Sequence, residues 1–131
     1  MDEALSILRR LRDVAIEEFS DLLYEVRIVG LCRLEARIMM HGRLIIRYPR
    51  EDEYSFHIEL CGRIYRIDTA PHHRHLRSFP RHIHYGSEDN VVENHITSLE
   101  LPPEENFRRV MDWVKNMLLP ACSSLQTSGS A

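Results

Sequence analysis

The chain is expected to fold as a single α+β domain: an antiparallel β-meander of about five strands, with an N-terminal and a C-terminal helix packed on one face. Three features carry that expectation. Apolar residues at helical spacing open and close the sequence, a long central stretch alternates apolar and polar residues, and the joints inside that stretch are short enough for hairpins. At 131 residues the chain suits one core and is too short for a comfortable pair.

From Asp2 to about Ser20, Leu5, Leu8, Leu11, Ala15 and Phe19 recur at the spacing of an amphipathic helix, with Arg9, Arg12, Asp13 and Glu17 opposite them. The period then changes to two. Leu34, Ala36, Ile38 and Met40 alternate with Arg33, Glu35, Arg37 and Met39; Leu44, Ile46 and Tyr48 with Arg43, Ile45 and Arg47; Tyr54, Phe56, Ile58 and Leu60 with Ser55, His57 and Glu59. His41-Gly42, the polar stretch 49–53 and Cys61-Gly62 supply the joints. A preceding strand near Leu23 to Val29 and a following one from Arg63 to Asp68 complete the meander. Pro71, Phe79-Pro80 and Gly86-Ser87 punctuate a loop-rich segment in which His82 to Tyr85 reads as one more short strand. Leu101-Pro102-Pro103-Glu104-Glu105 starts the last helix. Its buried face is Phe107, Val110, Met111, Val114 and Leu118, and its end is expected near Leu119-Pro120. The domain is thus placed at 1–120, and the Ser/Thr/Gly-rich tail, 121–131, is expected to be disordered.

No apolar run approaches the roughly 20 residues that a membrane span needs. The start, Met1-Asp2-Glu3, is acidic and unlike a secretory signal, so a cytoplasmic location without membrane contact is expected. Cys32, Cys61 and Cys122 show no CxxC and no short ligand spacing, and they are read as reduced thiols.

The net charge of −3 argues against a nucleic-acid partner, but it hides a local asymmetry. Between Cys61 and Tyr85 stand five arginines (Arg63, Arg66, Arg74, Arg77, Arg81), one acid (Asp68) and five histidines. Six of the eight histidines of the chain (His72, His73, His75, His82, His84, His95) lie within 24 residues, and this clustering is the strongest functional signal.

If His82 to Tyr85 is extended, His82 and His84 share one side and Ile83 and Tyr85 the other. Arg66 and Asp68 share a side at the end of the preceding strand. Such a set suits RNA cleavage without a metal or other cofactor, because the ribose 2′-hydroxyl supplies the nucleophile. Neutral and protonated histidines move the protons, and Arg66 or Arg81 binds the phosphorane oxygens. The candidate catalytic residues are His73, His82, His84, Asp68 and Arg66. Candidate RNA and phosphate contacts are Arg63, His72, Arg74, Arg77 and Arg81. Two other readings stay open: a non-catalytic module binding RNA or protein, and a metal-dependent nuclease on the same His/Asp cluster.

Two motifs also resemble a known family. Gly62-Arg63-Ile64-Tyr65-Arg66-Ile67-Asp68-Thr69-Ala70-Pro71-His72-His73, followed by Ser78-Phe79-Pro80-Arg81-His82-Ile83-His84, is similar to the TumE-type toxins of type II toxin–antitoxin modules. Thr69 stands where that family usually has asparagine, and Arg81 where it usually has a histidine. The resemblance implies a small endoribonuclease toxin acting on RNA. It also implies neutralisation by a cognate antitoxin, often a helix-turn-helix DNA-binding protein. A second copy of the chain is a further candidate partner.

Overall fold

Seven strands form the sheet of the computed structural model, which describes residues 2–122. Helix α1 (Glu3–Glu18) leads into β1 (Leu23–Val29), β2 (Arg33–Ile38), β3 (Gly42–Arg50), β4 (Glu53–Leu60) and β5 (Arg63–Asp68). After a long loop come β6 (His82–Gly86), β7 (Val91–Glu93) and helix α2 (Pro103–Trp113). Strand order follows chain order and every neighbouring pair is antiparallel, so the meander is unbroken. The α+β class and the two flanking helices agree with the expectation. The sheet is longer than expected because β6 joins it and because β7, at three residues, is too short to show a period of two.

Local chemistry explains the element ends. The Asp2 carboxylate accepts from the Ala4 and Leu5 amides and caps α1. Cys61 and Gly62 both take left-handed φ values, 53° and 75°, as a two-residue hairpin turn requires. Strand β3 runs through Pro49 rather than stopping before it, because Pro49 falls in a register shift between Arg47 and Arg50 where no ladder donor is needed. Helix α2 passes its expected stop at Leu119-Pro120. It continues through a π-helical turn, Val114–Leu118, in which the Leu119 amide bonds back to the Val114 carbonyl, and is helical to Cys122. The wider turn absorbs the clash that a proline ring causes in an α-helix. The tail placed at 121–131 lies, from Ser123 on, outside the described residues.

One sheet face and both helices enclose the core. Leu34, Ala36, Ile38, Leu44, Ile46, Tyr48, Phe56, Ile58, Tyr65, Ile67 and Ile83 point into it from the strands. Ile7, Leu8, Leu11, Val14 and Ala15 enter from α1, and Phe107, Val110 and Met111 from α2. The two polar atoms deepest in this layer are matched: Asn106 Nδ2 donates to the Tyr48 hydroxyl at 3.0 Å, and the Tyr54 hydroxyl donates to Thr97 Oγ1 at 2.7 Å. Among the described residues no helix covers the opposite face. Arg43, Arg47, Ser55, His57, Arg66, Asp68, His82 and His84 line it in register, with Asp68 opposite His82 and Arg66 opposite His84. No helix among the described residues is long and apolar enough to cross a membrane.

The thiols correct the expectation of three reduced cysteines. Cys61, in the β4–β5 turn, and Cys122, at the end of the C-terminal helix, are joined as a disulfide with Cα atoms 5.7 Å apart; Cys32 is free and exposed. The two are separated by 61 positions, so only the folded chain brings them together.

The division of the sheet into a packed and an open face predicts unequal costs of truncation. Phe56→Ala removes a fully buried ring and should cost about 3–5 kcal/mol in urea unfolding. Ile45→Ala, one position from Ile46 on the open face, should cost about 1 kcal/mol or less. Equal costs would contradict the facing assigned here.

Candidate active site

The site begins with the two-residue alternation of β6. Ile83 enters the core and is 4 % exposed, which turns His82 and His84 to the open face. Their ring centroids lie 4.9 Å apart. The loop 69–81 then folds back over this strand and sets His73 against both, at 4.9 Å from His82 and 5.9 Å from His84. His73 holds a left-handed φ of 60°, a conformation that costs a non-glycine residue about 1–2 kcal/mol. One ring nitrogen from each of the three histidines lies within 4.8 Å of the other two. His82 and His84 are 1 % and 7 % exposed, so these two rings are not part of a solvated charged face.

Backbone carbonyls set the tautomers. Nδ1 of His82 lies 3.0 Å from the Pro80 carbonyl oxygen, and Nδ1 of His84 lies 2.8 Å from that of Glu88. A carbonyl only accepts, so each Nδ1 donates its hydrogen and Nε2 is left as the basic nitrogen of the neutral ring. Burial holds the His82 pKa below the usual imidazole value. The Pro80 carbonyl and the Asp68 carboxylate oppose that shift, and the neighbouring rings of His84 and His73 reinforce it.

Carboxylates not foreseen in the sequence organise the surroundings. Glu88 receives both terminal nitrogens of Arg66, at 2.9 and 2.6 Å, and its carboxylate also stands 3.9 Å from His84 Nδ1. Glu93 accepts from the Arg77 and Ser78 amides, both at 2.9 Å, and these donors hold its carboxyl below the usual range. Asp68 does not hold an imidazole by a hydrogen bond: Oδ1 accepts from the Ala70 amide at 2.6 Å and Oδ2 faces Arg66 Nε at 3.5 Å. Among the expected catalytic set, His73, His82, His84, Asp68 and Arg66 do converge.

The expected phosphate contacts divide. His72, Arg74 and Arg77 are exposed on the loop above the three rings, with the Arg74 guanidinium 5.8 Å over the Phe79 ring. Arg81 turns inward, and its Nη1 donates to the Asn94 and Thr97 carbonyls, so it ties down the segment before α2. Arg63 stands at the far end of β5 beside Gly86, five residues or roughly 16 Å of strand from Asp68. Thr69 is buried, and its hydroxyl oxygen accepts from the Tyr54 amide at 3.0 Å.

Three imidazoles thus converge on one face of a small α+β domain, an arrangement chemically able to transfer protons or to bind a cation. The family model described as Toxin TumE matches residues 6–118, and the chain belongs to that toxin family. It is therefore a toxin of a toxin–antitoxin system, with a cognate antitoxin as its partner. No curated protein and no solved structure matches.

The environment of His82 predicts its titration. In metal-free protein, the His82 midpoint followed by imidazole NMR should lie below 6.5, and Asp68→Asn should lower it further by removing the carboxylate that favours the charged ring. Because the unfolded chain takes the proton first, this ring makes folding less favourable as pH falls through about 6.5. A midpoint at or above 6.5 would contradict the assigned burial.

Proposed function

We propose that this toxin is a ribonuclease that cleaves RNA by proton transfer to and from the histidines of β6 and the loop before it, acting in the cytoplasm where its substrate is found. In the reaction one neutral ring accepts the 2′-hydroxyl proton at Nε2, the 2′ oxygen bonds to phosphorus, and the bond from phosphorus to the 5′ oxygen breaks. A second ring, protonated, gives its proton to the departing 5′ oxygen. Cationic side chains bind the phosphate oxygens as charge builds on them. Arg66 does so by exchanging Glu88 for the substrate, while His72, Arg74 and Arg77 hold the strand nearby.

The observation that carries this reading is the fixed tautomer pair: two buried rings anchored through Nδ1, with Nε2 free and a third ring within 5.9 Å of both. A surface that merely binds RNA displays its cations, as Arg74 and Arg77 do, and does not need two imidazoles anchored in one tautomer. Arg81 and Arg63 drop out of the reaction, the first for its carbonyl partners and the second for its distance.

Incubation of the purified chain with single-stranded RNA in EDTA tests the proposal. Cleavage by the wild type should fall about 10²–10⁴-fold in His82→Ala and His84→Ala. Arg74→Ala should weaken RNA binding with little change in the rate at saturation. Cleavage that persists in both histidine variants, with circular dichroism showing them folded, would remove these rings from the chemistry.

A further inference from the structure

The three imidazoles have a second capacity that proton transfer does not require. We infer that His73, His82 and His84 form a binding site for one borderline transition-metal cation, with zinc(II) the best match, and leave a fourth coordination position open. Each histidine contributes one nitrogen to a group within 4.8 Å. Tetrahedral ligation at about 2.0–2.1 Å places nitrogens roughly 3.3 Å apart, so the group must tighten by up to about 1.5 Å at its widest separation. His82 and His84 come from the sheet, and His73 comes from a loop of largely exposed residues.

The outer hydrogen bonds are those that a ligating histidine uses. In zinc sites the nitrogen away from the metal donates to a carbonyl or a carboxylate, which fixes the ring and raises the basicity of the ligating nitrogen. Pro80 and Glu88 supply these carbonyls for His82 and His84. Local charge also favours a dication. The Asp68 and Glu88 carboxylates flank the rings, and Arg66, paired with both, neutralises only one of them. Three neutral nitrogen ligands select zinc-class ions over magnesium or calcium, which prefer oxygen.

The inference uses the cluster assigned above to ribonuclease chemistry, and the two uses exclude one another. A cation bound through Nε2 of His82 and His84 occupies the lone pairs that would take the 2′ proton. Zinc is therefore an inhibitor of the cleavage proposed above, and that cleavage is available only to the metal-free toxin.

The test begins with the full chain stripped with EDTA and freed of chelator, titrated with zinc by calorimetry and with cobalt(II) by visible absorption. The expected result is one cation per chain and the intense visible band of four-coordinate cobalt(II). Affinity should fall at least roughly tenfold in His73→Ala and in His84→Ala, and stay unchanged in His41→Ala, whose exposed ring lies in the β2–β3 turn. His73→Ala alters only the loop, so it keeps the test open if His84→Ala fails to fold. Absence of stoichiometric binding, or unchanged affinity in His73→Ala, overturns the site. RNA cleavage is scored separately. Cleavage in EDTA that one equivalent of zinc abolishes supports the competition, and cleavage that zinc-saturated protein retains overturns it. Failure to cleave RNA under every condition removes the ribonuclease reading and leaves the binding result to stand.

Discussion

Ile83 enters the core between His82 and His84, and that one inward side chain decides where two imidazoles go. Strand geometry forces the alternation, and pairing with β5 brings Asp68 and Arg66 opposite the two rings. A slip of one residue would send both imidazoles into the apolar layer with Ile67 and Phe56, where nothing could satisfy their nitrogens. The hydrophobic core and the polar site therefore specify each other, because the register that buries Ile83 is also the register that assembles the histidines.

The site then depends on backbone and carboxylate anchors more than on charged side chains. Carbonyls of Pro80 and Glu88 set the ring tautomers, Glu93 pins the loop through two amides, and Arg81 closes the segment that leads to α2. His73 completes the group from a strained left-handed position, and such strain persists only where surrounding structure holds it. The positive charge that the sequence concentrates between Cys61 and Tyr85 is spent in part on these anchors. His72, Arg74 and Arg77 remain exposed on the loop.

Most of the fold could be read in the sequence because the three central strands β2 to β4 show clean alternation and both helices show clean apolar stripes. Strand β7 could not, since Val91–Glu93 is shorter than the pattern that would reveal it. The histidine cluster was visible as composition, and the pairing of His82 with His84 as spacing. The roles of Glu88 and Glu93 were not, because their partners, Arg66 and the Arg77 and Ser78 amides, are 15 to 22 positions away. Arg81 misleads for the opposite reason: it sits in the motif beside His82, yet the chain at that point turns its guanidinium toward the Asn94 and Thr97 carbonyls. The Cys61–Cys122 bond has no local signature at all.

The account's central claim is that a pair of histidines moves the protons of an attack by the ribose 2′-hydroxyl. It is tested most directly by giving the toxin, in EDTA, an RNA strand and the same strand with a single 2′-deoxy substitution at the mapped cleavage position, and then identifying the product ends. The account predicts 2′,3′-cyclic phosphate and 5′-hydroxyl ends from the RNA and no cleavage at the substituted position. Cleavage at the 2′-deoxy position, or products ending in 3′-hydroxyl and 5′-phosphate, would contradict it, because the nucleophile would then be water and not the ribose.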